Sequence, residues 1–181
     1  MNAGSTIPTS RGLISSAHHK GRIIDTNNGL NGDGPFSPER TGGLPSGQLV
    51  ELCFSGKYNK FEIMHKLKGG GGLIAYLGTN NMIEVEEKAN SGDKKAKLIF
   101  EAMAYQTSKL IGAMSTVLKG EVDVIILTGG IAYSEGFTDL IIERVKHLSK
   151  TKIYPGEDEM MALAMNCYLA LKNEITVKEY K

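Results

Sequence analysis

The sequence of 181 residues contains no tryptophan and only two cysteines. Cys53 and Cys167 stand far apart, and neither belongs to a Cys-x-x-Cys pair, which argues against a disulfide scaffold and a dithiol redox motif. Each lies in an apolar segment typical of a helix. We therefore expect two buried free thiols and a cytoplasmic protein.

An excess of charge of one sign is also missing, because 21 Lys and Arg residues face 20 Asp and Glu residues. Without a basic surplus, no nucleic-acid partner is expected. No apolar run reaches the roughly 18 residues of a membrane span, so no membrane partner is expected either. The first residues, MNAGSTIPTSRG, are polar and lack the order of a signal peptide. We expect residues 1–12 to form a disordered arm or a tag-like segment.

Residues 13–181 carry the alternating strand and helix patterns of one domain. Short apolar runs at 13–17 and 22–25 flank a polar tip and predict a β-hairpin. Further strands are predicted at 122–127 and 152–154, and helices at 45–54, 59–67, 80–89, 93–118, 135–148 and 156–171. The buried stripe of the longest helix is predicted to contain Ile99, Met103, Leu110, Met114 and Val117. This order is typical of an α/β fold with a mixed sheet flanked by helices.

A long loop at residues 26–44 reads TNNGLNGDGPFSPERTGGL, and loops of this length are often functional. Its Arg40 follows two prolines, and the planar guanidinium suits a phosphoryl group or a carboxylate. The alternative is a surface arginine that pairs with Glu39 or with water. A second glycine-rich segment, Gly69–Gly72, predicts a flexible hinge or turn rather than a phosphate cradle, because no Lys-Ser/Thr ending follows it.

The segment VDVIILTGGIAYSEGF joins a buried strand to a helix through Thr128, Gly129, Gly130 and Ile131. One interpretation is a tight turn and nothing more. The other is a ligand site. Backbone N–H groups at a helix start can donate hydrogen bonds to a phosphate, and glycines without a Cβ let a planar group approach. The turn is neither a Gly-x-Gly-x-x-Gly fingerprint nor a Gly-x-x-x-x-Gly-Lys loop.

The acidic run Glu157-Asp158-Glu159 stands at the start of the last predicted helix. Acidic residues at this position often complement the helix dipole and cap the helix. The alternative is coordination of Mg²⁺ by one of the carboxylates, directly or through water. The sequence leaves both interpretations open.

Four segments together resemble the C-terminal half of butyrate kinase: GRIIDTNNGLNGDGPFSPERTGGLPSGQLVELCFSGKY, GGLIAYLGTNN, VDVIILTGGIAYSEGF and YPGEDEMMALA. That family belongs to the acetate and sugar kinase superfamily. The resemblance implies an actin-like, ribonuclease-H-like lobe. It also implies phosphoryl transfer from ATP to a short-chain carboxylate such as butyrate, which gives ADP and an acyl phosphate. Mg²⁺ and a second, N-terminal lobe that this chain lacks are further implications.

The resemblance also assigns roles by position. It places the adenosine at Thr128, Gly129, Gly130 and Ile131, the ribose and adenine near Gly78, Thr79 and Asn80, a transition-state arginine at Arg40, and the metal at Asp158 and Glu159. The family's His-Leu-Gly-Gly-Gly phosphate loop is replaced here by Pro-Thr-Ser-Arg-Gly-Leu.

Related kinases associate through this lobe, so a homo-oligomer is expected, with the long helix as one available face. The alternative function is a module that binds nucleotide or dimerises without catalysis.

Overall fold

Five strands form one mixed sheet in the computed structural model, which describes residues 2–9, 12–156 and 158–177. The strands are β1 (Asn2–Thr9), β2 (Gly12–His19), β3 (Arg22–Thr26), β4 (Val124–Gly129) and β5 (Thr151–Pro155). Their order across the sheet is β3-β2-β1-β4-β5. Strand β4 pairs in parallel with β1 and with β5, and β2 pairs in antiparallel fashion with β1 and with β3. Every strand except β2 therefore runs in the same direction. The carboxyl-terminal ends of β1, β3, β4 and β5 therefore lie on one side of the sheet, here called the carboxyl edge.

Strand β1 corrects the expectation that residues 1–12 form a disordered arm. Ala3 pairs with Val124 in parallel, and Asn2 pairs with His19 in antiparallel register. The segment thus occupies the middle of the sheet, where both rows of backbone N–H and C=O groups find partners. Residues 1, 10 and 11 of the expected arm lie outside the described residues.

Seven helices are present in the described ranges. They are α1 (Ser46–Phe54), α2 (Lys60–Leu67), α3 (Gly72–Leu77), α4 (Met82–Asn90), α5 (Lys94–Val117), α6 (Glu135–Val145) and α7 (Glu159–Leu171). Predicted starts are confirmed where a cap was visible in the sequence. Asn59 forms a capping box with Glu62, and Asp93 accepts hydrogen bonds from the N–H groups of Lys95 and Ala96.

Helix α5 lies at the centre of the helical layer and packs against α4, α6 and β2. Of the apolar stripe that the sequence predicts, Met103 is buried, Ile99, Leu110 and Met114 are half-buried, and Val117 is exposed. The buried residues of α5 are Ala96, Phe100, Met103, Ala104, Thr107, Ser108, Ile111 and Ser115. Small side chains let the neighbouring elements approach closely. The buried hydroxyls of Thr107 and Ser108 donate to the carbonyls of Met103 and Ala104 at 2.8 Å, so they are not left unpaired.

Three smaller differences concern a short helix, a strand boundary and the thiols. Helix α3 was not predicted. Strand β4 begins two residues later than expected and extends to Gly129. Cys53 and Cys167 are free, as expected, but both are exposed rather than buried. Within the described part of the chain, no helix has the length and apolar character needed to cross a bilayer.

Candidate functional site

The glycine turn lies at the carboxyl edge, where β4 ends. Gly129 has φ 90° and ψ 179°, a combination essentially restricted to glycine. Its N–H donates to the Gly156 carbonyl and its carbonyl accepts from the Gly156 N–H, each at 3.1 Å. A Cβ added to Gly130 would meet nothing within 4 Å. One side of the turn is therefore tied to the end of β5, and Gly130 is open.

Asp158 comes two residues after Gly156, whose backbone is hydrogen-bonded to Gly129 of this turn. It occupies the N-cap position of α7, yet its side chain accepts no capping hydrogen bond and is exposed. The capping interpretation is thus wrong for Asp158. Glu157 and the side chain of Glu159 lie outside the described residues.

A metal at this position would depend on few protein ligands. Within the residues that the structure describes, no three His, Cys, Asp or Glu side chains are grouped to hold a metal ion. Mg²⁺ commonly uses one or two carboxylates together with substrate phosphates and water. A single exposed carboxylate such as Asp158 fits that mode, and it does not form a protein-only cage.

The Arg40 loop is held by backbone contacts with the glycine-rich segment. Ser37 N–H donates to the Arg40 carbonyl at 3.0 Å, and the Glu39 carbonyl accepts from Gly69 and Gly71 N–H groups at 2.8 and 3.2 Å. Gly72 has φ 59°, and a Cβ there would collide with the Ser37 carbonyl oxygen. The glycine-rich segment is thus a packed turn that leads into α3 at Gly72.

The Arg40 side chain is half-buried, and its Nη1 donates to the Gly29 carbonyl. In the described ranges Arg40 forms no ion pair with a carboxylate. The expected alternative, a pair with Glu39, is not formed, since the Glu39 carboxylate accepts from Asn80 Nδ2 at 2.7 Å. The guanidinium therefore keeps donors that the carboxylates of the described ranges do not use.

The bond between Glu39 and Asn80 brings the loop at residues 78–81 next to the Arg40 loop. Gly78 ends α3 in the left-handed conformation with φ 74°, and a Cβ added there would meet nothing within 4 Å. Thr79 Oγ1 donates to Glu84 at 2.8 Å and accepts from the Asn81 N–H at 3.1 Å. Thr79 is thus fixed by partners inside the loop and α4, and Asn80 is fixed by its bond with Glu39.

Glu84 was missed by sequence reasoning, and it holds this loop electrostatically. Hydrogen bonds from Lys88 and then from Thr79 lower the pKa of its carboxyl below the ordinary value of 4.5. Lys88 Nζ lies 2.6 Å from Glu84 Oε1, and the pKa of Lys88 is raised by the same contact. The spacing of Glu84 and Lys88, four residues apart on a helix, was the available signal.

Asn27 is a second missed residue, and it attaches the long loop to the sheet. It is buried; its Oδ1 accepts from Ser15 N–H at 2.7 Å, and its Nδ2 donates to the carbonyls of Leu13 and Asp33 at 3.3 and 3.0 Å. Its place directly after β3, inside Thr-Asn-Asn-Gly, was the signal. These three hydrogen bonds fix the point at which the long loop that contains Arg40 leaves the carboxyl edge.

The structure assembles the predicted site residues in two groups. One contains residues 128–131 with Gly156 and Asp158, and the other contains Arg40 with residues 78–80. Both connect to the carboxyl edge, because β3, β4 and β5 end there. In the described ranges no hydrogen bond joins the two groups. The segment expected to match the phosphate loop joins β1 to β2 at this edge, and its Ser10 and Arg11 lie outside the described residues.

A mixed sheet flanked by helices, with a bare glycine turn at its carboxyl edge, defines the class as an α/β protein. The acetokinase family model matches residues 11–157, most of the chain, and this chain belongs to the acetokinase family. The actin-like α/β fold predicted from the sequence is confirmed.

Solved structures of carboxylate kinases have the same fold at low sequence identity. An acetate kinase from Porphyromonas gingivalis has a TM-score of 0.82 at 17% identity, with 93% of this chain and 49% of that chain covered. A propionate kinase from Francisella tularensis has 0.79 at 22%, with 88% and 47% covered. An acetate kinase from Entamoeba histolytica has 0.82 at 15%, with 93% and 50% covered. This chain spans about half the length of the kinases it matches.

Proposed function

We propose that this chain is the nucleotide-binding lobe of a kinase that transfers the terminal phosphoryl group of ATP to a short-chain carboxylate. The observation that carries the proposal is the Gly129–Gly130 turn, which is tied to Gly156 on one side and open at Gly130. An open glycine at the carboxyl edge of a sheet lets a nucleoside lie against the backbone. Residues 128–131 hold the adenosine in this proposal, and Gly78, Thr79 and Asn80 lie near the ribose and adenine.

The chemistry needs little covalent participation by the protein. A carboxylate substrate is ionised at neutral pH, so its oxygen attacks the phosphorus without a general base. The bond to the leaving ADP oxygen breaks as the new bond forms, and catalysis depends on positioning and on neutralising charge. Arg40 serves as the donor to the transferring phosphoryl oxygens. Asp158 and Glu159 would hold Mg²⁺, which would supply positive charge to neutralise the nucleotide phosphates.

Two finer parts of the proposal concern the acceptor and the rest of the cleft. Butyrate is the proposed acceptor, on the resemblance of the Ser-Pro-Glu-Arg-Thr-Gly and Thr-Gly-Gly-Ile segments to butyrate kinase. A second lobe, corresponding to the half of the matched kinases that this chain does not cover, is proposed to complete the carboxylate pocket. The two exposed thiols fit the reducing cytoplasm proposed as the location.

Calorimetric titration of the chain with ADP, with and without Mg²⁺, tests the nucleotide site. We expect saturable binding with one ADP per chain, tighter when Mg²⁺ is present. No heat of binding and no ADP saturation-transfer signal at millimolar nucleotide would overturn the proposal. Trapping of acyl phosphate with hydroxylamine separates the kinase from the alternative, a module that binds nucleotide without catalysis. We expect the trapped product only when a second lobe is supplied.

A further inference from the structure

The guanidinium of Arg40 is held by one backbone carbonyl of its own loop. Its Nη1 donates to the carbonyl of Gly29, which is buried and begins a short 3₁₀ helix at Gly29–Asn31. A guanidinium has several N–H groups in one plane, so one can be bound by this carbonyl while others meet a second acceptor. The position of the Gly29 carbonyl therefore sets the direction in which Arg40 presents its remaining donors.

Gly29 lies in close contact with strand β2. A Cβ added to Gly29 would stand 2.8 Å from Ile14 Cγ1 and 3.5 Å from Arg40 Nη1. The φ of Gly29 is outside the left-handed region, so the missing side chain provides space here and does not relieve backbone strain. The bare Cα thus lets the start of β2, the Gly29 peptide and the guanidinium pack against one another.

Asn27 attaches this peptide to β2. Its carbonyl accepts from the Gly29 N–H at 3.0 Å, and its own N–H donates to the Ser15 carbonyl at 3.3 Å. Its buried side chain adds the bonds with the Ser15 N–H and with the carbonyls of Leu13 and Asp33. Asn27 therefore binds two positions of β2 and fixes the place of Gly29 relative to that strand.

The pattern of these bonds requires an amide side chain. Oδ1 of Asn27 accepts one hydrogen bond and Nδ2 donates two, and an amide carries both kinds of group. An aspartate of the same shape could keep the bond from the Ser15 N–H, but its second oxygen would face two carbonyl oxygens. Buried polar groups that lose their partners are costly, so the loop would move to find new ones.

We propose that Asn27 is the positioning residue for Arg40, acting through the Gly29 carbonyl that orients the guanidinium. The inference rests on the proposed function, in which Arg40 meets the transferring phosphoryl oxygens. Asn27 touches neither substrate in that function, so its loss should leave KM for ATP unchanged. A displacement of about 1 Å can cost about 10²-fold in rate, and Asn27→Ala is expected to lower kcat by about 10- to 100-fold.

A double-mutant cycle in the two-lobe enzyme tests whether Asn27 acts through Arg40. Asn27→Ala should change kcat by less than about twofold when Arg40 is already replaced by alanine, because no guanidinium is left to orient. A purely structural role would lower kcat by the same factor in both backgrounds. Asp93→Ala is the matched control: it removes two hydrogen bonds at the start of α5 and should lower the urea midpoint without lowering kcat.

Gly29→Ala tests the same carbonyl while every atom of Asn27 remains. The added methyl group meets Ile14, so the Gly29 peptide or the strand must shift, and no left-handed strain accompanies it. We expect a lower kcat, an unchanged KM for ATP, and no further loss when Arg40 is absent. Gly43→Ala is the control in the same loop, because its Cβ would lie at an ordinary 3.8 Å from the Gly34 carbonyl oxygen. This variant decides the question even if Asn27→Ala does not fold.

The NMR signals of the Arg40 guanidinium test the contact in this chain without any activity. A guanidinium held by a carbonyl rotates slowly about its Cζ–Nη bond, so its Nη–H signals should be resolved at low temperature, and Arg40→Lys assigns them. Asn27→Ala and Gly29→Ala should average these signals, and Asp93→Ala should leave them resolved.

The outcomes separate this inference from the proposed function. Unchanged Arg40 signals in Asn27→Ala, or an equal loss of kcat in both backgrounds, would overturn the positioning role while Arg40→Ala still shows a low kcat. A full kcat in Arg40→Ala would instead overturn the proposed role of Arg40, and with it the catalytic consequence of Asn27.

Discussion

Substitution of two adjacent glycines should separate nucleotide binding from folding. Gly130→Val places a side chain where nothing lies within 4 Å, and the φ of Gly130 is outside the left-handed region. The free energy of unfolding should therefore change by no more than about 1 kcal/mol. In the proposed site the same side chain occupies the space of the nucleoside, and we expect the affinity for ADP to fall at least tenfold, about 1.4 kcal/mol.

Gly129→Ala should act in the opposite way. At φ 90° and ψ 179° any L side chain is strained, at a cost of about 1–3 kcal/mol. We expect a lower free energy of unfolding in urea, and the folded fraction should still bind ADP. Gly47→Val is the matched control for Gly130→Val, because it adds the same side chain to open space on α1.

Urea denaturation and calorimetric titration with ADP, performed on all three variants, decide the matter. The reasoning fails if Gly130→Val binds ADP as tightly as the unchanged chain. It also fails if Gly130→Val loses as much stability as Gly129→Ala, because the turn would then be structural. A loss of affinity in Gly47→Val would show that the effect is not local.

The remaining predictions concern Arg40, the packed turn, pH and turnover. In the two-lobe enzyme, Arg40→Ala should lower kcat by a factor of about 10³ or more with little change in KM for ATP, and Arg40→Lys should recover only part of the lost kcat. If Arg40→Ala kept kcat within about threefold of the unchanged enzyme, the role of Arg40 would be restricted to its bond with Gly29. Gly72→Ala should destabilise the chain by about 3 kcal/mol or more, because the left-handed backbone strains an alanine and its Cβ collides with the Ser37 carbonyl oxygen. Gly78→Ala has the same backbone strain but open space around the Cβ, so it should cost only about 1–2 kcal/mol. Equal urea midpoints of the two variants would refute this difference. Because the pKa of Glu84 is lowered on folding, its contribution to stability is present above the ordinary value of 4.5 and is lost as pH falls through the folded value. Glu84→Gln should therefore weaken the fall of the urea midpoint as the pH drops below 4.5, and an unchanged pH dependence would contradict this. The chain alone should show no butyrate-dependent ADP release, since one lobe cannot orient both reactants, and steady turnover would disprove this.

Most of the sheet and helix pattern was accessible from the sequence because local signals and tertiary contacts agree there. The hairpin of β2 and β3 has short apolar runs on both sides of a polar tip, and α2 has its capping Asn59. Strand β4 has a continuous aliphatic run typical of a strand buried on both faces. In these places composition, caps and packing favour the same structure.

The errors occur where distant contacts decide the structure. The segment NAGSTIPT has weak strand propensity, and it becomes β1 through pairing with β2 and β4, which no local pattern reveals. The buried face of α5 was misjudged because long apolar side chains were favoured, whereas Thr107 and Ser108 are buried with their hydroxyls bonded within the helix. The bond between Glu39 and Asn80 joins two loops far apart in sequence, so it had no signal at all.

The central position of β1 determines the order in which the chain can complete its sheet. Among the five strands, β1, β2 and β3 are synthesised before the other two and can pair at once, but the parallel partner of β1 begins only at Val124. Helices α1 to α5 must therefore be made while one edge of β1 has no partner. Contacts between residues so distant in sequence slow folding, and an open strand edge can pair with other chains. This lobe is thus most exposed to aggregation on the ribosome before β4 emerges, and its yield should rise when translation is slow and chaperones are abundant.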